Sequence, residues 1–288
     1  MMKHAYLIMA HNQPELLKTL LTLIDDERND IYVHVDKKMK NFEEADYEKI
    51  LKKSKIYWIK RNNVRWGEYS QIKCELQLLK VAVKYEHNYY HLLSGVDLPL
   101  KKQNDIHDFF KKYGGLEFID EDSHEIREDL LERIRIYHFG GLNKSIAKIS
   151  RKIQKLININ RIKKYDKVCF QKGRNWFSIT HDLALYLINN EKRIKRMFGF
   201  SECGDEMFLQ TLAENSIFKE RICNRITMPD IPDTRHIDWQ RGTPYVFRKN
   251  DYIELKNSTA LFARKFDYEL DSNIVDLISY DLLNNTTD

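Results

Sequence analysis

The sequence lacks the segments that mark several large classes of protein. No stretch approaches the roughly 20 consecutive apolar residues that cross a bilayer. Neither a P-loop nor a G-x-G-x-x-G fingerprint occurs, which argues against ATP-driven and dinucleotide-dependent chemistry. Five prolines and ten glycines among 288 residues are too few for flexible interdomain linkers. A single domain over residues 1–288 is therefore predicted.

Cysteine is also scarce. The four cysteines form no C-x-x-C pair, which argues against a zinc site. The first apolar segment, residues 5–10, is too short for the core of a signal peptide. These features predict a cytoplasmic protein whose cysteines are free thiols, most of them buried.

The net charge of +5 is unevenly distributed along the chain. Residues 144–172 contain many lysines and arginines, and Asp166 is their only acid. A local positive field of this kind favours phosphates or anionic lipid headgroups. A solvated basic helix would give the same pattern, so both interpretations stay open.

The first half of the chain alternates between apolar runs typical of strands and amphipathic stretches typical of helices. This βαβ rhythm predicts an α/β protein with a Rossmann-like, mostly parallel sheet, in which ligands bind beyond the carboxyl ends of the strands. The strands are predicted at residues 5–10, 31–35, 56–59 and 89–93, and the helices from Pro14 onward and over 69–83. The second half is less regular, with predicted strands at 116–119 and 176–180 and helices at 144–159, 182–189 and 205–213.

Seven segments, several of them at predicted strand ends, resemble one family in order and spacing. They are AYLIMAH (5–11), HVDKK (34–38), WGEYS (66–70), HLLSGVDLPL (91–100), WFSIT (176–180), DEMF (205–208) and ARKFD (263–267). Together they resemble the core-2/I-branching β-1,6-N-acetylglucosaminyltransferase and xylosyltransferase family, glycosyltransferase family 14, in a bacterial-type form. The resemblance implies a GT-A-like fold and inverting transfer of a sugar, first of all N-acetylglucosamine, from a UDP-sugar. It also implies that no divalent metal or other cofactor is required.

The resemblance assigns the catalytic base to Glu206. Inverting transfer needs one carboxylate to take the proton of the acceptor hydroxyl, and in the family this is the Glu of an Asp-Glu pair. Residues 201–204 predict a helix entry, which would favour the charged carboxylate. From spacing alone, an ordinary acidic pair at a helix start would explain the motif as well. The neighbouring Asp205 is assigned to the acceptor side or to a capping role.

Stabilisation of the departing UDP is assigned to cations because residues 94–97, at the place where many enzymes of this fold carry an Asp-x-Asp motif, do not form one. The corresponding place holds a single acid, Asp97, which makes a poor site for magnesium or manganese. The resemblance places Lys265 and Arg241 at the positions of the cations that replace the metal, and guanidinium suits phosphate oxygens. Arg264 and Arg248 are alternatives to Arg241.

The donor nucleotide is predicted over the first strands, and the acceptor on the second half. Residues 1–120 would form the nucleotide-sugar half and residues 121–288 the acceptor and catalytic half. The donor residues implied are His11, Asp36, Arg65, Trp66, Gly67 and Ser94, besides Asp97, Arg241 and Lys265. His34 is interpreted as a buried strand histidine. The acceptor residues implied are Asp105 and Trp176, besides Asp205, although core packing explains a tryptophan equally well.

The predicted acceptor is a glycan or a lipid-linked glycan used in cell-surface polysaccharide synthesis. The basic segment of residues 144–172 would then approach the inner face of the membrane. Xylosyl, glucosyl or galactosyl transfer stays open as an alternative. So do a glycoside hydrolase that uses Asp97 and Glu206, a basic nucleic-acid-binding protein and a glycan-binding relative without turnover. No nucleic-acid-binding motif is visible, so nucleic acid is not the predicted partner.

Overall fold

The computed structural model describes residues 2–120, 128–223 and 228–284. Its strands are β1 (His4–Ala10), β2 (Asn29–Val35), β3 (Lys55–Ile59), β4 (Tyr89–Ser94), β5 (Leu98–Pro99), β6 (Ser178–Thr180), β7 (Arg235–Ile237) and β8 (Phe262–Arg264). The helices of the first half are α1 (Pro14–Leu23), α2 (Glu44–Glu48), α3 (Ser70–Ala82), α4 (Gln103–Lys112) and α5 (Glu128–Arg135). Those of the second half are α6 (Lys144–Leu156), α7 (His181–Asn189), α8 (Glu191–Phe198), α9 (Phe208–Glu214), α10 (Tyr252–Asn257) and α11 (Ser272–Asn284).

The central sheet has five strands in the order β3-β2-β1-β4-β6. Strands β1, β2, β3 and β4 are parallel to one another, and β6 is antiparallel to β4. Strands β1, β2 and β4 are buried on both faces, which explains why they read as continuous apolar runs rather than alternating ones. The prediction of an α/β fold with a mostly parallel central sheet is confirmed.

Helices cover both faces of this sheet and produce two hydrophobic cores. One core includes leucines of α1, among them Leu16 and Leu20, and residues of α11 such as Ile274. The other includes α3 and α7, with Leu79 and Leu183 among its members. Within the described ranges, no helix combines the length and the apolar character needed to cross a bilayer.

A second, small sheet joins the C-terminal part of the chain to the segment after β4. Its order is β5-β8-β7, with β5 antiparallel and β7 parallel to β8. The backbone N–H of Phe266 also donates to the carbonyl of Val96 at 3.0 Å. These contacts bring residues 264–267 to the turn that follows β4.

The predicted strands and helices differ from the structure mainly in their ends. The helix predicted over 205–213 is broken at Met207, where a 3-10 helix, Gly204–Glu206, gives way to α9. Residues 116–119 form only isolated bridges, from Glu117 to Ile222 and from Phe118 to Ser178. Of the cysteines, Cys74 and Cys203 are buried free thiols and Cys169 is an exposed one.

Candidate active site

The carboxyl ends of β1, β2 and β4 form one edge of the sheet, and this edge carries His11, Asp36 and Ser94. The backbone N–H of Asp36 donates to the carbonyl of Ala10 at 2.8 Å, which holds two of the loops together. Gly95 suits the crowding here because a Cβ at this position would lie 3.0 Å from the Cβ of Ala10. The structure therefore brings together three of the predicted donor positions.

Asp36 shapes the loops at this edge through its carboxylate. Oδ1 accepts from the backbone N–H of Lys38 and Oδ2 from that of Val64, both at 2.8 Å. The residue is only 2% exposed, so its oxygens face these amides and not an open ribose site. The neighbouring His34 is buried, and its Nε2 accepts from the backbone N–H of Asn62 at 3.0 Å.

Three cations surround His11. Burial lowers the pKa of His11, and Lys38, Arg264 and Lys265 lower it further, while Asp36 opposes them. The imidazole is therefore neutral at physiological pH. Lys38 lies 3.8 Å from Asp36 and Arg264 is paired with Asp97, so Lys265 is the one of these three cations without a carboxylate partner among the described residues. An unpaired ammonium suits the negative charge of a diphosphate.

Lys265 reaches this edge from the far end of the chain. The Gln13 amide after β1 donates to the Asp267 carboxylate at 2.8 Å and accepts from the backbone N–H of Tyr268 at 3.1 Å. These bonds hold the segment of Lys265 beside the loop of His11. The ammonium group of Lys265 makes no ion pair or hydrogen bond with the described residues, so it is free to bind an anion.

Arg264 connects Asp97 with Trp176. Its Nη1 lies 3.3 Å from Oδ1 of Asp97, and its guanidinium carbon lies 4.1 Å from the centre of the Trp176 indole. Burial raises the pKa of Asp97, and Arg264 opposes that shift. The other carboxylate oxygen accepts from the backbone N–H of Ser94 at 2.8 Å. Asp97 is therefore a buried partner of Arg264, which leaves it unsuited to be the second carboxylate of a hydrolase.

Arg241 is held by carboxylates of its own neighbourhood. Its guanidinium contacts Asp238, lies 2.6 Å from Asp251 and lies 2.7 Å from Glu254. It also lies 4.3 Å from the ring centre of Tyr245. Each of its three guanidinium nitrogens thus donates to a carboxylate of the protein, which leaves fewer donors for a diphosphate. The alternative, Arg264, directly precedes Lys265 in the chain.

Glu206 ends the 3-10 helix and is anchored by cationic side chains. Its Oε2 lies 2.8 Å from Nη1 of Arg133 and 3.9 Å from Nζ of Lys172. Its Oε1 makes no hydrogen bond with the described residues, and the side chain is about one third exposed. The expected stabilisation by a helix N-terminus is replaced by these side chains, since α9 begins only at Phe208. One oxygen is thus fixed and the other is left to accept a proton.

Asp205 is buried, with its side chain directed into the interior. Its Oδ2 accepts from the amide of Gln71 at 3.0 Å, and Gln71 in turn contacts the backbone N–H of Gly67. Burial and the charge of Glu206 raise the pKa of Asp205 to about 7. Glu75 of α3 is fully buried behind it, and burial, followed by Asp205, raises the Glu75 pKa well above its usual range.

The loop of residues 65–67 connects the donor edge to Glu206. The carbonyl of Gly67 accepts from the backbone N–H of Cys203 at 2.8 Å, and Gly67 adopts a φ of 73° that favours glycine. Trp66 is 83% exposed, and Arg65 lies 3.7 Å from Glu68 at the surface. The predicted residues 65–67 therefore lie beside the Asp-Glu pair with their tryptophan in solvent.

An open cavity of about 220 Å³ lies between this loop and the first turns of α6. Its lining combines aromatic side chains with charged and polar ones, and it includes Glu202 from the loop that precedes Asp205. The side chains that define it are Trp66, Tyr137, Phe139, Leu142, Arg151 and Glu202. A cavity that offers both aromatic faces and polar groups suits a sugar or another amphipathic acceptor.

Asp105 is not brought to this site. Asp105 is exposed on the first turn of α4, next to Asn104, whose side chain accepts from Arg28 at 2.8 Å. Arg28 precedes β2, so Asp105 lies at the amino edge of the sheet, opposite His11. Trp239 is 53% exposed near Arg241. This placement gives no support to an acceptor role for Asp105.

Sequence reasoning missed Arg133, Lys172 and Glu75. The pairing of Arg133 with Glu206 joins residues that are 73 positions apart, and neither carries a recognisable motif. Glu75 did leave a signal, because it is an acid within the apolar face formed by Ile72, Leu76 and Leu79 of α3. In the described part of the chain, no group of three or more His, Cys, Asp and Glu side chains could hold a metal ion.

Comparison with known proteins places the chain in a family of glycosyltransferases. The family model described as "Core-2/I-Branching enzyme" matches residues 4–256. The chain therefore belongs to the core-2/I-branching enzyme family, as its motifs predicted, and the α/β fold with a mostly parallel sheet agrees with that membership.

The similar curated proteins are xylosyltransferases. A xylosyltransferase of Ciona intestinalis is 22% identical over 96% of this chain and 34% of its own length. Human xylosyltransferase 2 is 21% identical over 96% of this chain and 33% of its own length. The chain thus spans about a third of the length of these relatives. Mouse xyloside xylosyltransferase 1 in its apo form matches with a TM-score of 0.39 and 10% identity, covering 90% of this chain and 96% of the other.

Proposed function

We propose that this protein transfers a sugar from a UDP-sugar to a hydroxyl of a glycan acceptor, with inversion at the anomeric carbon. N-acetylglucosamine and xylose are the leading donor sugars, since the family includes transferases for both and the similar curated proteins are xylosyltransferases. The observation that carries the proposal is Glu206, whose Oε2 is fixed by Arg133 while its Oε1 makes no hydrogen bond with the residues that the structure describes.

The proposed reaction uses Glu206 as the general base. Its Oε1 takes the proton of the acceptor hydroxyl as that oxygen attacks the anomeric carbon. The bond from this carbon to the UDP oxygen breaks on the opposite face, and the electron pair leaves with UDP. Lys265, Lys38 and Arg264 stabilise the charge that grows on the diphosphate. We propose on the same grounds that a divalent metal is not required.

The proposed acceptor is a glycan of a cell-surface polysaccharide, and a lipid-linked glycan is the form that we favour. The cavity beside Trp66 and Phe139 is the candidate acceptor site because it adjoins the loop of Glu206. We further propose that the protein acts at the inner face of a membrane, with peripheral contact through the basic segment of residues 144–172.

The first experiment measures nucleotide binding by calorimetry with UDP, GDP and CMP, each in EDTA and in manganese. Binding of UDP that survives EDTA supports the proposal. Binding only with manganese would make Asp97 a candidate metal ligand and would reduce the role of Lys265. Absence of nucleotide binding under both conditions would favour the glycan-binding or nucleic-acid-binding alternatives.

The second experiment determines the donor sugar and the stereochemistry. Hydrolysis and transfer are followed for UDP-N-acetylglucosamine, UDP-xylose, UDP-glucose and UDP-galactose, with a panel of simple glycosides as acceptors. NMR of the first product gives the anomeric configuration. A β-linked product from an α-linked donor supports inversion, whereas retention would rule out the single-base mechanism at Glu206.

A further inference from the structure

Helix α6 is attached to the protein by a narrow face. Gln154 is buried, and its side chain exchanges two hydrogen bonds with the backbone of Tyr137, at 2.7 Å through Oε1 and 2.9 Å through Nε2. Ala147 and Ser150 on the same face are half-buried. The helix is therefore fixed in place while most of its circumference faces solvent.

An apolar stripe runs along the exposed part of this helix. Its five aliphatic side chains are each more than half exposed and occur at intervals of three or four residues until the C-cap, so they lie on one side of the helix. They are Ile146, Ile149, Ile153, Leu156 and Ile157. Single exposed apolar residues are ordinary, but a contiguous exposed set marks a contact surface.

The stripe is bordered by basic side chains. Lys148 and Lys152 are exposed and make no ion pair with the described residues, so their charges are available to a partner. Arg151 lies 3.8 Å from Glu202 and Lys155 lies 2.7 Å from Glu132, so part of the charge of these two is already neutralised. The helix thus combines aliphatic side chains with a net positive border.

We propose that the apolar stripe of α6 binds the surface of an anionic lipid bilayer, with the helix lying in the interfacial plane. The aliphatic side chains would enter the acyl boundary, while Lys148 and Lys152 would remain at the headgroups. Neither half of this pattern alone specifies a bilayer, but the combination matches both its apolar interior and its negative surface.

The same features disfavour two other occupants. A second copy of the chain meeting stripe to stripe would bring its own Lys148 and Lys152 toward these lysines, and like charges repel. The phosphates of a nucleic acid would pair with the lysines, but they would not bury the apolar side chains of Ile149 and Ile153.

Docking through α6 would place the aromatic cavity at the membrane surface. Ala147 and Arg151 of this helix line the cavity opposite Trp66, whose indole is in solvent. Exposed tryptophan suits the interfacial zone of a bilayer. An acceptor carried on a lipid would therefore meet the cavity without leaving the membrane, a consequence that rests on the proposed function.

Vesicle co-sedimentation tests the proposal directly and needs no donor sugar. The intact protein is mixed with vesicles of phosphatidylcholine alone and of phosphatidylcholine with phosphatidylglycerol, at low and high salt. We expect binding to the anionic vesicles that weakens with salt. Ile149→Asp combined with Ile153→Asp should weaken it by about tenfold or more at either salt concentration. Lys148→Glu and Lys152→Glu should each weaken it by about fivefold at low salt.

Two matched controls separate the helix from general surface effects. Ile217→Asp with Ile253→Asp alters two exposed isoleucines outside α6, and Lys52→Glu with Lys53→Glu reverses two exposed lysines near β3. Both controls should bind vesicles like the parent protein. Because Ile149 and Ile153 are exposed, their substitution should leave the thermal unfolding midpoint and the calorimetric affinity for UDP unchanged.

Three results would overturn the proposal. The first is that the parent protein binds neither kind of vesicle. The second is that the variant with Ile149→Asp and Ile153→Asp binds anionic vesicles as tightly as the parent does. The third is a dimer in sedimentation velocity that this variant converts to a monomer, which would assign the stripe to a second copy. If the parent protein turns over a UDP-sugar but binds no vesicles, this inference fails and the proposed enzyme activity stands. If it binds vesicles but turns over no UDP-sugar, the proposed activity fails and this inference stands.

Discussion

The carboxylate of Glu206 lies 2.8 Å from the guanidinium of Arg133, with Oε2 facing Nη1. This contact orients the carboxylate, and in the described part of the chain Oε1 accepts no hydrogen bond. Arg133 approaches from α5 and Glu206 from the turn before α9, and the backbone N–H of Glu202 also donates to the carbonyl of Arg133 at 2.9 Å, so the side-chain pair adds to a backbone contact between these segments. A base with one anchored oxygen and one open oxygen is suited to take a proton repeatedly in the same geometry.

Glu206→Gln should abolish turnover without abolishing donor binding. The amide keeps the shape of the side chain but cannot accept the acceptor proton, so kcat should fall by about 10²- to 10⁴-fold. Calorimetry with UDP should give the parent affinity. Glu214→Gln on α9, an acid paired with Lys219, is the control and should keep full activity. A Glu206→Gln enzyme with near-parental kcat would remove this residue from the mechanism.

Arg133 is expected to act as a positioning residue. Arg133→Met removes the contact that orients Glu206 and should lower kcat by about tenfold or more, while the KM for donor changes little. Arg133→Lys should recover part of the lost kcat because it restores a cation near Oε2. Steady-state kinetics of the three enzymes provide the measurement, and a fall in stability alone would lower the active fraction without this rescue pattern.

Lys265 and Arg241 should respond differently to substitution. Lys265→Ala should weaken UDP binding by about tenfold to a hundredfold, the effect of losing a charged hydrogen bond, with little change in thermal stability. Arg241→Ala should leave UDP affinity unchanged and lower the thermal midpoint, because Asp238, Asp251 and Glu254 would lose their shared cation. Weaker UDP binding by the Arg241 variant would instead restore the role that the motif comparison gave it.

Glu75 should make the folded protein less stable as pH rises. Its raised pKa keeps it protonated in the fold, whereas the unfolded chain ionises it near its usual value, so stability is lost upward from about pH 4.5. In urea unfolding, the free energy of unfolding of the parent should fall, as pH rises, by about 1.4 kcal/mol per pH unit more than that of Glu75→Gln. A difference that does not change with pH would show that Glu75 is ionised in the fold.

His91 should have the opposite effect at low pH. Burial, followed by the charges of Arg235 and His107, holds the pKa of His91 well below its usual value, so it stays neutral in the fold. The unfolded chain takes up a proton near pH 6.5, and stability is therefore lost as pH falls below that value. Urea unfolding measures this loss: as pH falls, the free energy of unfolding of the parent should decrease by about 1.4 kcal/mol per pH unit more than that of His91→Gln. The two proteins need not be equally stable at pH 7.5, because only the slope is compared.

Much of the central sheet could be predicted because its strands are uniformly apolar. The strand predicted at 31–35 occupies the last five residues of β2, and that at 56–59 all but the first residue of β3. Helix α6 begins where its pattern predicted, although it ends at Leu156 and not at Ile159. The three-residue strand β6 lies within the strand predicted at 176–180, whereas β7 and β8, equally short, were not predicted because their pairing depends on tertiary partners.

The candidate site was predictable where strand ends supply it and unpredictable where distant charges meet. His11 and Lys265 follow from motifs, and the structure brings their segments together through Gln13 and Asp267. The contacts of Arg241 with three carboxylates and the pairing of Arg133 with Glu206 depend on tertiary packing, which the local sequence pattern does not reveal. Asp105 matched a motif position, yet its place on α4 puts it at the other edge of the sheet.

The bond between the amide of Gln13 and the carboxylate of Asp267 joins positions 254 residues apart. During synthesis on a ribosome, the edge of the sheet that we propose to bind the diphosphate therefore cannot be complete until the chain beyond Asp267 has emerged. A nascent chain that already displays the parallel strands would not yet hold UDP. Nucleotide added during refolding should consequently stabilise the finished domain and leave earlier intermediates unaffected, because a ligand stabilises only the states that bind it.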